Sequence, residues 1–420
     1  MIVDIFDYGM NGEGVAKQDG KVLLVDHALV REQVDCEIIL DHNNYATAKV
    51  KNILKQSKNR TTPHCPYFYQ CGGCDLQHME YAEQLRFKSS LIKKTINKIV
   101  GVDVAVSDTI PSQNCYNYRN KSSFAFKNGK SGFYQQNSND IVEISKCIIS
   151  SENINLVYKL FTEFASNFKD KERIKNLVVR DINNQILVGV VTIKELNLLP
   201  FWNILKQQFS QIGLCQIINT RNDSVVLSGK VIHVAGLDKI KILNFGLDYQ
   251  VDLLGFHQTN EDIQNKIYEK VLNFISPNSV VVNGFSGQGL LSAIVAKKAK
   301  HVYGIEINHS SHTSAERLKF DNNIANMTNI LGDFYKKFDK IKEKIDTIIL
   351  DPSKKGCGKD VIHAIIGVKN IIYISCNPIA LAKDLRELLA SYEIENIIPF
   401  DMFPNTKSVE TLLKLKLKEK

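Results

Sequence analysis

No stretch of the 420-residue sequence approaches the about eighteen uncharged apolar residues that a membrane-spanning helix needs, so no bilayer span is expected. The opening residues MIVDIFDYGMNGEG lack a basic start followed by an apolar run; neither a secretory nor an organellar signal is read there, and a cytoplasmic protein is expected. No internal repeat and no low-complexity segment interrupts the chain. Nine cysteines is an odd number in a long chain without an export signal, which argues against a disulfide framework and for metal ligation or catalysis. What is present is the composition of a globular protein, 44% hydrophobic and 23% charged, in a chain long enough for two or three compact units. Lys and Arg outnumber Asp and Glu by 53 to 45, a net +8 that favours a polyanionic partner without deciding for one.

Hydrophobic patterning divides the chain into three. Residues 1–56 alternate apolar and polar in short runs (KVLLVDH, QVDCEIIL, YATAKVKNIL) separated by Gly-containing turns, the pattern of a small antiparallel barrel. KQSKNRTTP reads as a linker, and residues 57–250 as a central α/β domain. That domain holds HCPYFYQCGGCDLQH, the strand-like runs KSSFAF, NLVVRDI, ILVGVVTI and VVLSG, and the helical ENINLVYKLFTEFASNF. A helical segment at about 77–105, with Leu85, Ile92, Ile96 and Ile99 on one face, is assigned to this domain but is able to pack on the next. Residues 251–420 alternate strand and helix regularly, which implies a mostly parallel, Rossmann-like sheet covered on both faces.

In such a sheet ligands bind beyond the carboxyl ends of the strands. The turn NGFSGQG supplies Gly284, Gly287 and Gly289 after one strand, and Glu306 closes the next, about twenty residues on, where a carboxylate can accept from ribose hydroxyls. Asp333 in LGDF and Asp351 in LDPSKKG follow the third and fourth strands. The third glycine of a dinucleotide fingerprint is missing, so the pocket suits S-adenosylmethionine better than NAD. ISCNP sets Cys376 between an apolar strand and a helix, where the helix N-terminus favours thiolate. DMFPNTKSVE then follows a further strand and carries Glu410, a candidate base.

The segments SCNPIALAKDL, DMFPNTKSVET, FHQTN and the cysteine-rich HCPYFYQCGGCDLQH together resemble the RNA uridine-C5 methyltransferases, which include 23S rRNA enzymes and the tRNA enzyme acting in the T loop. The resemblance spans essentially the whole chain. It implies that Cys376 is a nucleophile, Glu410 the general base, and that Gln258, Phe285, Gly287, Glu306, Asp333 and Asp351 line the S-adenosylmethionine pocket. A donor near O4 of uracil is also required, and Gln258 or a protonated Glu410 would serve. The amino-terminal strands resemble the OB-like TRAM module often fused to these enzymes.

Cys65, Cys71 and Cys74 are spaced C-x5-C-x2-C, with Cys147 the best fourth ligand. Four thiolates suit zinc or a [4Fe–4S] cluster equally by spacing, and the resemblance favours the cluster. NYRNKSSFAF interleaves aromatic and basic residues suited to RNA, with Tyr118, Arg119 and Lys121 the candidate contacts.

Several positions depart from the family pattern: Asn283 stands for an acidic residue, Gln288 and Leu290 alter the glycine turn, Lys354 replaces an Arg and Ser408 a His. Three outcomes are weighed: a 23S rRNA enzyme, working as a monomer without a membrane partner; a tRNA enzyme; and a catalytically weak RNA-binding protein. An amino-methyltransferase is disfavoured because its N-P-P-Y type loop is replaced by DPSK and it needs no cysteine.

Overall fold

The computed structural model describes residues 1–127, 129–223 and 225–419. The chain opens with six strands: β1 (Ile2–Asp4), β2 (Asp7–Tyr8), β3 (Gly14–Gln18), β4 (Lys21–Asp26), β5 (Gln33–Asp41) and β6 (Tyr45–Lys55). They form one sheet in the order β1-β5-β6-β4-β3-β2, antiparallel throughout except for β4 beside β6. Leu23, Val25, Val34, Ala46 and Ala48 fill its concave side with the small volumes that tight curling needs. The expected barrel is not closed. Among the described residues no ladder joins the edge strands β1 and β2, and the curl is held by single contacts, Ile5 N to the Glu32 carbonyl and Phe6 N to the Val15 carbonyl.

Helix α1 (Tyr81–Val100) turns Phe87, Leu91, Ile92 and Ile96 inward and ends on Gly101 in the left-handed region. Those side chains share one apolar cluster with Leu381, Leu385 and Leu388, so α1 packs on the C-terminal part of the chain.

The central part is a seven-stranded sheet of β7 (Lys121–Lys127), β8 (Lys130–Tyr134), β9 (Ile141–Glu143), β10 (Ile174–Ile182), β11 (Gln185–Thr192), β12 (Ile212–Ile218) and β13 (Lys230–Gly236). Helices α2 (Glu152–Ser166) and α3 (Leu199–Gln208) cover one face through Phe161, Phe201 and Leu205. The other face carries Val178, Leu187, Val191 and Ile217 against the hairpin β14 (Ile240–Asn244) and β15 (Leu247–Val251), and against Leu290, Ala293 and Ile294. Burial on both faces is why β10 and β11 read as unbroken apolar runs. The expected strand VVLSG is not one: the carbonyls of Val225 and Val226 accept from Asn219 Nδ2 at 2.7 and 2.9 Å, making a side-chain-capped turn, and the strand begins at Lys230.

After α4 (Glu261–Phe274) comes the second large sheet: β16 (Val280–Gly284), β17 (His301–Glu306), β18 (Met327–Leu331), β19 (Thr347–Leu350), β20 (Asn370–Ser375), β21 (Tyr392–Phe400) and β22 (Glu410–Leu417). Their order is β18-β17-β16-β19-β20-β22-β21, parallel except for β22, which runs antiparallel to both neighbours. Helices α5 (Leu290–Ala296), α6 (His309–Asp321), α7 (Phe334–Phe338), α8 (Lys359–Ala364) and α9 (Pro378–Leu388) connect the strands. The sheet is Rossmann-like. Its order reverses at β16, which pairs with β17 on one side and β19 on the other, so the ligand crevice opens there. Among the described residues no helix is long and apolar enough to cross a membrane.

Candidate active site

A cleft of about 940 Å³ opens at that reversal point. Gln258, Phe285, Gly287, Glu306, Asp351, Cys376 and Glu410 all line it. Asp333 does not stand among the lining residues; it caps α7, its side chain accepting from Lys336 N at 3.3 Å.

The glycine turn is built for close approach. Phe285 and Gly287 adopt φ of +60° and +55°, the first an uncommon conformation for an aromatic residue and one concentrated at functional sites. Glu306 Oε2 accepts from Gly287 N at 2.9 Å, tying the end of β17 to the turn. Asn283 donates to Ser292 Oγ at 2.8 Å and is 2% exposed, yet its Oδ1 has no partner. Tyr249 OH and Gln264 Nε2, on the same cleft, are likewise buried and unpartnered. Of these unpartnered atoms Gln264 Nε2 can donate, Asn283 Oδ1 can accept and Tyr249 OH can do either. A nucleoside with an amino-acid tail, as in S-adenosylmethionine, matches that donor and acceptor set.

Cys376 sits between β20 and Asn377, whose side chain caps α9 by accepting from Ile379 N at 3.0 Å and Ala380 N at 3.4 Å. Asn377 Nδ2 also holds the Lys354 carbonyl at 2.8 Å, so the DPSK loop and the cysteine turn are pinned together. Burial pushes the Cys376 thiol up, the charge of Glu410 adds to this, and Lys354 opposes it. The helix terminus expected to favour thiolate is present, but in the free protein the surroundings hold a thiol.

Glu410 opens β22 opposite Phe400 and is 4% exposed. Burial drives its carboxyl well above the usual range, the charge of Asp351 adds, and Lys354 opposes. Burial also pushes Asp351 up to about 7. Burial therefore favours the protonated carboxyl of Glu410, a donor, over its carboxylate. Among the described residues Lys354 is the one side chain that favours the ionised forms of both Cys376 and Glu410.

The three candidate RNA contacts do not form one surface. Half-buried Tyr118 donates to the Pro404 carbonyl at 3.1 Å, and Lys121 Nζ donates to the Leu253 carbonyl at 2.8 Å. Arg119 lines the cleft and also the cavity that the cysteines face. Cys65, Cys71, Cys74 and Cys147 line that second cavity, of about 310 Å³, with Gly72 and Gly73 between it and the cleft. Asn155 fixes Cys147 by accepting from its N at 2.8 Å and donating to its carbonyl at 2.9 Å. Burial raises the Cys74 thiol to about 12, with the other three sulfurs adding. Among the described residues no three His, Cys, Asp or Glu side chains stand at metal-ligating geometry, so the sulfurs face a common space without converging on one point. Cys36 lies in the core of the first sheet, and Cys357 N donates to Asp384 at 2.7 Å.

Sequence reasoning missed Asn283, Tyr249 and Gln264 as polar groups of the cleft. Asn283 was marked only as a departure, and Tyr249 lies on a hairpin that alternation could have revealed.

The chain matches the family model described as tRNA (Uracil-5-)-methyltransferase over residues 80–418. It is 31% identical to an uncharacterized RNA methyltransferase of Clostridium tetani, covering 96% of this chain and 94% of that protein. It is 33% identical to another of Caldanaerobacter subterraneus subsp. tengcongensis, covering 98% and 96%. Among solved structures it resembles the Pyrococcus abyssi tRNA (uracil-54, C5)-methyltransferase in complex with S-adenosyl-L-homocysteine, at a TM-score of 0.80 and 23% identity over 99% of this chain and 100% of that one. The family model covers most of the chain and the relatives match nearly all of it, so the chain belongs to the RNA (uracil-C5) methyltransferase family.

Proposed function

We propose that the protein methylates C5 of a uridine in 23S rRNA through a covalent bond between Cys376 and C6 of the base. The observation that carries this reading is the joint presence of Cys376 and Glu410 on one cleft that runs on to Glu306 and the glycine turn. S-adenosylmethionine, when bound, supplies a methyl group on a sulfonium.

C5 of uracil is too weak a nucleophile to take that methyl unaided. Once the Cys376 thiol has lost its proton to solvent, the thiolate adds to C6, forming an Sγ–C6 bond and moving the C5–C6 π electron pair onto C5 and O4. Gln258, on the same cleft, suits the donor role at O4, which leaves Glu410 to act as the base in the later step. After C5 has gained the methyl, an ionised Glu410 takes the C5 proton, the C5–C6 double bond re-forms and the thiolate leaves. Lys354 lowers the cost of both ionisations. Because the uracil edge is stacked or paired in folded RNA, the base must be exposed or flipped to reach Cys376.

Cys65, Cys71, Cys74 and Cys147 would hold a [4Fe–4S] cluster. The four line one cavity, and the preference for a cluster over zinc rests on the family resemblance. Residues 1–56 are assigned as a TRAM-like RNA-binding module, residues 57–250 as the cluster domain and 251–420 as the methyltransferase domain. The enzyme would act in the cytoplasm as a monomer, since each required group lies on one chain. The Pyrococcus abyssi likeness extends over that whole chain, so the N-terminal sheet by itself does not select rRNA over tRNA.

The test is mass spectrometry after incubation with S-adenosylmethionine and 5-fluorouridine-substituted 23S rRNA or tRNA. A methylated protein–RNA adduct that disappears in Cys376→Ala supports the reading, and its digest identifies the RNA and site. An adduct on tRNA alone moves the assignment to the tRNA enzymes. Folded wild type that forms no adduct on either, and binds no S-adenosylmethionine, is the RNA-binding alternative.

A further inference from the structure

The nine residues 401–409 form an excursion between Phe400 and Glu410, which face each other across the β21–β22 ladder. Phe403, Thr406, Lys407 and Ser408 of this excursion wall the cleft beside Glu410. Six of the nine are held from outside the Rossmann-like sheet. Asn260 Nδ2 donates to the Met402 carbonyl at 3.2 Å and Tyr118 OH to the Pro404 carbonyl at 3.1 Å. Asp75 N and Leu76 N, next to Cys74, donate to the Asn405 carbonyl at 3.0 and 2.9 Å, and the Asp75 carboxylate accepts from Lys407 N at 3.1 Å. Helix α1 supplies the deepest contacts. Gln84 accepts from Asn405 N at 2.9 Å and donates to its Oδ1 at 3.2 Å. Lys88, on the apolar face of α1, pairs with Asp401 and donates to the Phe403 carbonyl at 3.1 Å.

Lys88 and Asp401 are both 0% exposed. A buried ion pair is a poor source of stability, since apolar residues of similar volume often do as well or better. What an apolar pair could not do is fix the direction of the chain at Asp401 and at the Phe403 carbonyl, the entrance to the wall that leads to Glu410. We propose that Lys88 is a positioning residue for the base step, holding the 401–409 wall so that Glu410 meets the C5 proton. The inference rests on the covalent reading above. Cys376 is oriented separately, by Asn377 and the DPSK loop, so loss of Lys88 leaves nucleophilic attack intact and slows release.

The variants are Lys88→Met, the double variant Lys88→Met with Asp401→Asn, which strands no buried charge, and Gln84→Ala, which frees Asn405 without touching the pair. Each is checked for folding by thermal melt. Each is then given S-adenosylmethionine with ordinary uridine RNA and, separately, with 5-fluorouridine RNA. Loss of positioning is expected to lower turnover by roughly tenfold to a hundredfold, with methylated protein–RNA adduct accumulating on ordinary RNA, where wild type shows little. Adduct formation on 5-fluorouridine RNA should match wild type. Turnover at the wild-type rate without accumulated adduct, in a folded double variant, assigns Lys88 to packing and overturns the proposal. A folded variant that forms no adduct on 5-fluorouridine RNA also overturns it, because Lys88 would then act on attack. Failure of wild type itself on 5-fluorouridine RNA instead refutes the covalent reading.

Discussion

Asp351 stores a measurable pH dependence of stability. Its carboxyl is raised from 3.8 to about 7 by burial, so folding favours the protonated form. A raised group contributes stability that is complete below the unfolded value and is lost as pH rises through the folded one. At 1.36 kcal/mol per pH unit, the shift corresponds to roughly 4 kcal/mol. Asp351 faces a cleft that admits water, and screening there leaves roughly half, about 2 kcal/mol. Asp351→Asn keeps the shape and removes the ionisation. Urea unfolding of the free protein should therefore show the variant and wild type nearly equal near pH 4. The variant should gain steadily up to about pH 7 and hold an advantage of about 2 kcal/mol above it. A difference that stays constant from pH 4 to 8, or grows in the opposite sense, would refute the assignment of a raised Asp351.

Four further outcomes are expected. Cys376 and Glu410 are both raised and in the proposed mechanism act in deprotonated form, so kcat/KM should climb as pH rises through neutrality and beyond; Lys354→Met should displace that climb to higher pH, and an unmoved profile would remove Lys354 from the charge balance. Gly289→Ala should cost about 1–3 kcal/mol in a thermal melt, because φ is +81° and a Cβ would stand 2.8 Å from that of Ala315. Asn283→Leu should weaken S-adenosylmethionine binding in calorimetry by about tenfold, since the open Oδ1 is lost from the cleft. Cys147→Ser in protein reconstituted with iron and sulfide should lose visible cluster absorption and melt earlier than wild type; an unchanged spectrum would reassign the fourth ligand.

Much of the C-terminal sheet was legible because its strands are short apolar runs between helices, and strand ends are where chemistry gathers. Glu306, Asp351 and Cys376 could be found by position in that alternation alone. Glu410 was reached as a residue after a strand, yet it begins β22, whose run ETLLKLKL mixes Lys into an interior strand and hides its partners. Asp333 followed the same positional logic; its side chain caps a helix, and it is not among the residues lining the cleft. The β14–β15 hairpin was missed because its pairing is two-stranded and its burial comes from the neighbouring sheet. Lys88 was invisible for a different reason: within KSSLIKK a lysine reads as solvated, and only a carboxylate more than three hundred residues away explains its burial. Tyr118 and Lys121 carry chemistry suited to RNA, and nothing in the sequence signals that in the free protein they bond the Pro404 and Leu253 carbonyls. Side-chain direction is set by tertiary contacts that local pattern does not encode.

The antiparallel strand β22 lies between β20 and β21 rather than at an edge. During synthesis, everything up to β21 is made before the strand that must separate β20 from β21 exists. Until residues 410–417 arrive, β20 presents an unpaired apolar edge, which is a template for association with other chains. The cysteine turn after β20 is synthesised by then, but Glu410 comes in with the inserting strand. A nascent or truncated chain therefore carries the thiol without this carboxylate, so that, in the proposed mechanism, completion of the sheet and acquisition of turnover are one event.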